Sequence, residues 1–340
     1  MSSFANPIEL DPTETDTAQR LLESIRFLES GESVESIGQP GDGNMNLTLR
    51  VQTDRRSFIV KQARPWVEKY PSIPAPLDRH DHEVAFYSRI SEFDSVRDCM
   101  PRLLAHDATN HLIILEDVSP ANDCSICYRA SNGSAMLWRW LPGLINWLED
   151  LHSIEVAGTP LKNSALRQLN HDHMFSLPFQ AEPLIDLDQV TAGLAEEQKR
   201  VANDRLLTDR IAELGQQYLE PDFSSSRLLH GDFFPGSWMV LESGQGAEQT
   251  RGQPRIFIID PEFCFTGPPE FDWGVLQAHF VFTGEEIPAS LIPESLDQSL
   301  LNGFAAAEVL RRLLGVAQLP LEKTLDEKVA LVDWAVESLR

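Results

Sequence analysis

Twice between residues 228 and 263 the chain runs an apolar stretch into acidic residues, and this pair constrains its fold more than any other feature. The first block is Leu228-Leu229-His230-Gly231-Asp232-Phe233-Phe234-Pro235-Gly236-Ser237-Trp238-Met239-Val240. A strand-like entry delivers His-Gly-Asp into a loop, and an apolar strand leaves it. The second is Ile256-Phe257-Ile258-Ile259-Asp260-Pro261-Glu262-Phe263, a buried strand ending in two carboxylates at i and i+2. Extended-chain spacing places both on one side. They are hard oxygen donors of the type Mg²⁺ prefers, with nucleotide phosphates completing the coordination. Asp232, on its separate loop, is the candidate catalytic base.

Phosphoryl transfer needs such metal carboxylates, a loop Asp facing the acceptor hydroxyl, and a lysine on an N-terminal strand. The sequence supplies the lysine in Ile59-Val60-Lys61-Gln62-Ala63. Ahead of it, Gly41-Asp42-Gly43-Asn44 forms a glycine-bearing turn whose backbone N–H groups can face phosphates. Glu83, on the helix that follows, is the expected ion-pair partner of Lys61. Glu116, at the end of the apolar run 111–115, and Ser237 complete the cofactor-binding candidates. Asp260 and Glu262 are the expected metal ligands. ATP and Mg²⁺ are the expected cofactors.

Charge narrows the partners. Acidic residues outnumber basic ones 52 to 28, a net charge of −24. So negative a chain repels phosphate backbones and anionic lipid, which argues against nucleic acid or membrane as its main partner. The expected partners are ATP and a small-molecule hydroxyl acceptor, with a homodimer left open. Four cysteines in 340 residues do not form a disulfide framework. Cys124-x-x-Cys127 lacks a second pair at zinc spacing, and His171-Asp172-His173 reads as a polar loop. The start, Met1-Ser2-Ser3-Phe4-Ala5, carries no basic segment followed by an apolar run, and no stretch of about 18 apolar residues occurs. A cytoplasmic protein is expected.

Hydrophobic spacing outlines an α+β chain in two lobes. Residues 13–29 read as a helix capped by Thr13, 47–51 and 58–60 as an antiparallel hairpin, and 65–76 as a Pro-rich loop. A helix near 78–92 puts Val84, Tyr87 and Ile90 on one face, and 111–115 is a buried strand. Beyond a linker at 116–125 the pattern turns helical, over 136–153, 185–219, 289–317 and 324–339. Strands at 238–241 and 256–259 interrupt it. Trp140 and Trp147, seven apart, read as core. The expected boundary lies at 117/118, with a nucleotide-binding lobe before it and the catalytic loop, metal site and acceptor site after it.

Glycine turn, strand Lys, helix Glu, His-x-Asp loop and strand-end Asp, in that order, resemble the bilobal protein-kinase-like fold. The resemblance is closer to its small-molecule branch of aminoglycoside and choline kinases, and within that branch to the 5-methylthioribose kinase family. Gly41-Asp42-Gly43-Asn44-Met45-Asn46, Val60-Lys61-Gln62-Ala63, and Leu77-Asp78-Arg79 followed by Glu83 are similar to that family's segments. So are His230-Gly231-Asp232 with Gly236-Ser237, Asp260-Pro261-Glu262-Phe263 with Gly267-Pro268 and Phe271-Asp272, and Arg311-Arg312 with Gly315-Val316-Ala317. Ser237 stands where relatives usually carry Asn. Phe233-Phe234-Pro235 and Gln318 also depart from the pattern. The resemblance implies ATP-dependent phosphorylation of a sugar hydroxyl, methylthioribose to its 1-phosphate in methionine salvage, with Asp232, Arg311 and Arg312 at the acceptor. Adjacent helix residues point about 100° apart, so the two arginines are not expected to face one ligand unless the helix ends or distorts. Asp272 is expected to be a structural acid tying the metal loop to the helical lobe. Other hydroxyl acceptors, of aminoglycoside, choline or fructosamine type, and nucleotide binding without catalysis stay open.

Overall fold

Alternation of apolar and polar residues dictates the first sheet. In β2 (Leu47–Thr53), Leu47, Leu49 and Val51 are buried while Gln52 is exposed. Phe58 and Val60 repeat that face on β3 (Ser57–Gln62), and Leu112 and Ile114 repeat it on β7 (Leu112–Glu116). With β1 (Val34–Gly38) and β6 (Leu103–Asp107) these strands form a five-stranded antiparallel sheet in the order β1-β2-β3-β7-β6. Helix α1 (Thr15–Ser24) lays Ala18, Leu21 and Leu22 on the apolar face. A short hairpin, β4 (Trp66–Val67) and β5 (Tyr70–Pro74), occupies the expected Pro-rich loop. Helices α2 (Arg79–Ile90) and α3 (Asp94–Arg97) complete this unit.

The computed structural model describes residues 7–41, 45–155, 158–180, 182, 184–242 and 254–340. Two compact units result. One takes the chain up to Pro120 together with Phe257–Glu262, and the other takes Ala121–Ile256 with Phe263–Arg340. A single cut at 117/118 is therefore corrected: the segment bearing Asp260 and Glu262 groups with the sheet unit. The glycine-turn residues Asp42, Gly43 and Asn44, and the terminal residues 1–6, lie outside the described residues.

The second unit is mainly helical. Its helices are α4 (Gly133–Ser153), α5 (Ser164–His171), α6 (Leu187–Val190), α7 (Leu194–Asn203), α8 (Arg205–Leu219), α9 (Glu270–Val281), α10 (Gln298–Leu314) and α11 (Leu325–Leu339). β8 (Asn122–Asp123), β10 (Trp238–Leu241) and β11 (Arg255–Ile258) make one small sheet; β9 (Arg227–Leu229) and β12 (Phe265–Gly267) pair antiparallel in another. Trp140 and Trp147 are buried core residues. All twelve residues of α9 are buried. Gly274 permits this close seat, because a Cβ there would lie 2.8 Å from the carbonyl oxygen of Leu301 on α10.

Several boundaries differ from expectation for physical reasons. α1 spans only 15–24: Thr13 donates to Asp11 instead of capping, and Arg26 adopts a left-handed conformation that ends the helical run. On α2 the buried face is Glu83, Phe86, Tyr87 and Ile90, with Val84 half-buried, because a carboxylate belongs to that face. The expected helix 289–317 begins at Gln298, where Asp297 caps it by accepting from the Leu300 N–H. No helix among the described residues is long and apolar enough to cross a membrane.

Candidate functional site

Lys61 owes its position to strand periodicity. Val60 faces the α1 side, so its neighbour Lys61 projects from the opposite face of β3, where Thr48 and Ile113 flank it. Its ammonium is buried and donates to both carboxylate oxygens of Glu83, at 2.9 and 2.8 Å, and to Asp260 Oδ1 at 2.7 Å. Burial opposes the charge on Lys61, yet Asp260, Glu83 and Glu262 outweigh it and hold the ammonium well above the usual lysine range. Burial also pushes the Glu83 carboxyl upward, against the pull of Lys61.

The two strand-end acids are not arranged as an extended chain would arrange them. Asp260 has φ +61°, and Pro261–Phe263 coil into a 3₁₀ turn. The expectation of two carboxylates on one side of a strand is thus corrected. Asp260 turns to Lys61, whereas Glu262 accepts from Asn46 Nδ2 at 2.7 Å and lies 3.7 Å from the Arg79 guanidinium. Burial pushes the Glu262 carboxyl up, Lys61 and Arg79 pull it down, and the nearby Asp260 charge adds to the rise. Arg79 is fully buried and donates to the backbone carbonyls of Met45, Arg64 and Pro76 and to Asn46 Oδ1. It ties the segment after the glycine turn, Met45-Asn46, to the loop residues Arg64 and Pro76.

In the second unit, β9 delivers the 230–237 loop and α9 holds it. Gly231 has φ +84°, and a Cβ there would lie 2.1 Å from the Phe263 carbonyl oxygen, so only glycine fits. Asp272 accepts from the N–H groups of His230 and Gly231 at 2.8 and 2.9 Å, and lies 3.1 Å from His152 Nε2. It ties down the catalytic-loop candidate rather than the metal segment, which corrects the expectation for this acid. Phe233 stacks on Trp147 at 5.3 Å. Ser237 is buried and its hydroxyl donates to the Asp232 carbonyl oxygen at 2.8 Å.

The Asp232 carboxylate meets both arginines of α10: Arg312 Nη2 at 3.4 Å and Arg311 Nη1 at 3.9 Å. α10 ends at Leu314 with both arginines in its last turn, so their shared target falls under the exception of a helix that ends there. Each side chain is long enough to span the arc, and Glu308, three and four residues earlier, gathers both: Arg311 Nη1 at 3.1 Å and Arg312 Nε at 2.6 Å. Burial pushes the Asp232 carboxyl up, while Arg312 and Arg311 pull it back. Those two arginines hold Glu308 far below the carboxylate range despite burial.

Lys61, Glu83, Asp260 and Glu262 thus lie together, as do Asp232, Ser237, Arg311 and Arg312. Glu116 sits apart, paired with Arg102 at 3.1 Å on a half-exposed edge. Gly41 is exposed, and its partners in the turn lie outside the described residues. Cys124, Cys127 and Cys264 are buried. Asn46, Arg79, Glu308 and His279 were missed as site residues. Helical spacing was the available signal: Arg79 precedes Glu83 by four, and Glu308 precedes the arginines by three and four.

Comparison with known proteins follows the same lines. A sequence model of the phosphotransferase enzyme family matches residues 36–313. The methylthioribose kinase of Exiguobacterium sibiricum is 27% identical over 274 residues, covering 78% of this chain and 66% of that protein. That of Pectobacterium atrosepticum is 27% identical over 266 residues, covering 74% and 61%. These matches span less than two thirds of the relatives' own lengths. Among solved structures, spectinomycin phosphotransferase in complex with ADP and spectinomycin has a TM-score of 0.53 at 14% identity, covering 96% of this chain and 99% of that one. The fold is protein-kinase-like, and with the family model matching most of its length, the chain belongs to the phosphotransferase enzyme family.

Proposed function

We propose that the chain is a small-molecule kinase that uses ATP and Mg²⁺ to phosphorylate the anomeric hydroxyl of 5-methylthioribose. The observation that carries the kinase reading is the buried Lys61, held by Glu83 from a helix and by Asp260 from a strand end. An ammonium so placed stays charged and can neutralise nucleotide phosphate oxygens. Glu83 takes two of its three N–H donors. The third, now on Asp260, is the one a phosphate oxygen can claim.

The donor set suits Mg²⁺. Asp260 and Glu262 are hard oxygen donors, and the Asp260 side chain is 44% exposed. Glu262 is pushed up partly by the neighbouring negative charge, so the pair lacks positive charge that a divalent ion would add. No group of three or more His, Cys, Asp or Glu among the described residues is arranged to hold a metal. That fits an ion that draws its other ligands from phosphates and water. Bound there, Mg²⁺ would neutralise phosphate charge. Asp232 would accept the hydroxyl proton and orient the nucleophile, and Arg311 and Arg312 would border the acceptor. The acceptor identity draws on the relatives' name, methylthioribose kinase.

The test is ATP consumption by the purified chain against methylthioribose, choline, aminoglycosides and pentoses, with the product located by ³¹P NMR. Turnover of methylthioribose to a 1-phosphate is expected. Turnover of a different acceptor alone would overturn the substrate; nucleotide binding with no turnover of any acceptor would overturn the kinase.

A further inference from the structure

The two arginines beside Asp232 are adjacent in sequence but differently held. Arg312 is fastened on three sides. Its Nε donates to Glu308 Oε1 at 2.6 Å, its Nη2 lies 3.4 Å from Asp232 Oδ1, and its guanidinium sits 4.4 Å over the Phe234 ring. Phe234 can occupy that place because residue 236 is glycine: a Cβ there would lie 2.5 Å from the ring. Glu308 is in turn backed by a buried pair on other elements. His279 Nε2 of α9 lies 3.4 Å from the same Oε1, and His279 Nδ1 lies 2.6 Å from the Tyr128 hydroxyl. Arg312 is thus the link that joins a chain of buried polar groups, Tyr128, His279 and Glu308, to Asp232.

Arg311 has no such fastening. Its Nη1 lies 3.1 Å from the other Glu308 oxygen and 3.9 Å from Asp232. Among the described residues its Nε is buried with no hydrogen-bond partner. Leaving a buried donor unmade is costly, and a cationic one more so, unless a ligand supplies the acceptor. Arg311 therefore keeps a donor that Arg312 has already spent on Glu308.

We propose that Glu308 divides the pair: with Arg312 it forms a positioning unit that orients Asp232, leaving Arg311 as the arginine that binds the acceptor. This rests on the reading of Asp232 as the group that orients the acceptor hydroxyl. It assigns Glu308 and Arg312 an effect on kcat and Arg311 an effect on KM.

The experiment measures steady-state kinetics of the full chain with the acceptor varied at saturating ATP. Arg312→Lys and Glu308→Gln are expected to lower kcat about 10–100-fold with acceptor KM within about threefold, the pattern of a lost transition-state interaction. Arg311→Lys is expected to raise acceptor KM about tenfold with kcat within about threefold, the pattern of lost uniform binding. Glu308→Asp, which keeps the charge, recovers part of the kcat lost in Glu308→Gln. Equal effects of the two arginine variants on the same parameter overturn the proposal, and that comparison decides even if Glu308→Gln does not fold. Wild-type chain that turns over no acceptor would instead refute the underlying function.

Discussion

Each unit holds a cluster of charges at the candidate site, and the two differ in balance. The sheet unit sets Lys61 and Arg79 among Glu83, Asp260 and Glu262, which leaves one negative charge in excess when all three acids are ionised. The helical unit sets Arg311 and Arg312 against Asp232 and Glu308, which leaves none. Excess negative charge beside an exposed carboxylate favours a cation, whereas a balanced cluster favours a neutral, hydroxyl-rich ligand. The clusters also differ in redundancy. Lys61 alone bridges two acids, while the two arginines share theirs.

The sharpest way to break this comparison is to separate binding from turnover. Asp232→Ala is expected to lower kcat about 10³-fold, within the range of general base catalysis, while nucleotide affinity by calorimetry stays within about twofold. A comparable loss of nucleotide affinity would show that the clusters do not divide the work. Redundancy gives the next effect. Lys61→Ala strands Glu83 among like charges and is expected to cost about 3–5 kcal/mol in chemical denaturation. Arg311→Ala leaves Arg312 on both acids and is expected to cost nearer 1 kcal/mol. Equal losses would remove the distinction.

Asp272 is the third test, because it holds the 230–237 loop through the backbone N–H groups of His230 and Gly231. Asp272→Asn turns an amide NH₂ toward backbone N–H groups that need acceptors, and is expected to cost about 1–3 kcal/mol. An unchanged denaturation midpoint would show that the loop does not depend on it. The smallest effect is a pair of opposed pH slopes. Burial holds His279 down to about 4, so its contribution to stability is complete above pH 6.5 and is lost as pH falls through about 4. Burial pushes Glu83 up to about 7, so its contribution is complete below pH 4.5 and is lost as pH rises through about 7. His279→Asn should flatten the acid side of the stability profile and Glu83→Gln the neutral side. The reverse assignment would mean these groups do not set the slopes.

Much of the sheet unit was legible because its signal is local. β2 alternates cleanly, and β3 repeats its inward face through Phe58 and Val60, which puts Lys61 on the opposite face. β1 and β6 were not legible, because the expected patterns held no clear alternation there and their pairing comes from β2 and β7. α9 escaped for the opposite reason. A helix buried on every side has no polar face, so its periodicity vanishes. The Asp260 turn was misread as extended because a left-handed φ at a non-glycine residue is seldom adopted without support from its surroundings.

By itself the sequence determined the order of the chemical groups: lysine strand, helix acid, His-Gly-Asp loop, strand-end acids and arginine pair. Order is a property of the chain and survives any folding. Only the tertiary structure decided which charges meet: that Asp260 turns to Lys61 while Glu262 turns to Asn46 and Arg79, and that Glu308 gathers two arginines around Asp232. Those meetings join residues as far apart as 216 positions within the sheet unit and 80 within the helical one. Coulomb interactions of this kind depend on distance in space and on burial, neither of which local spacing carries.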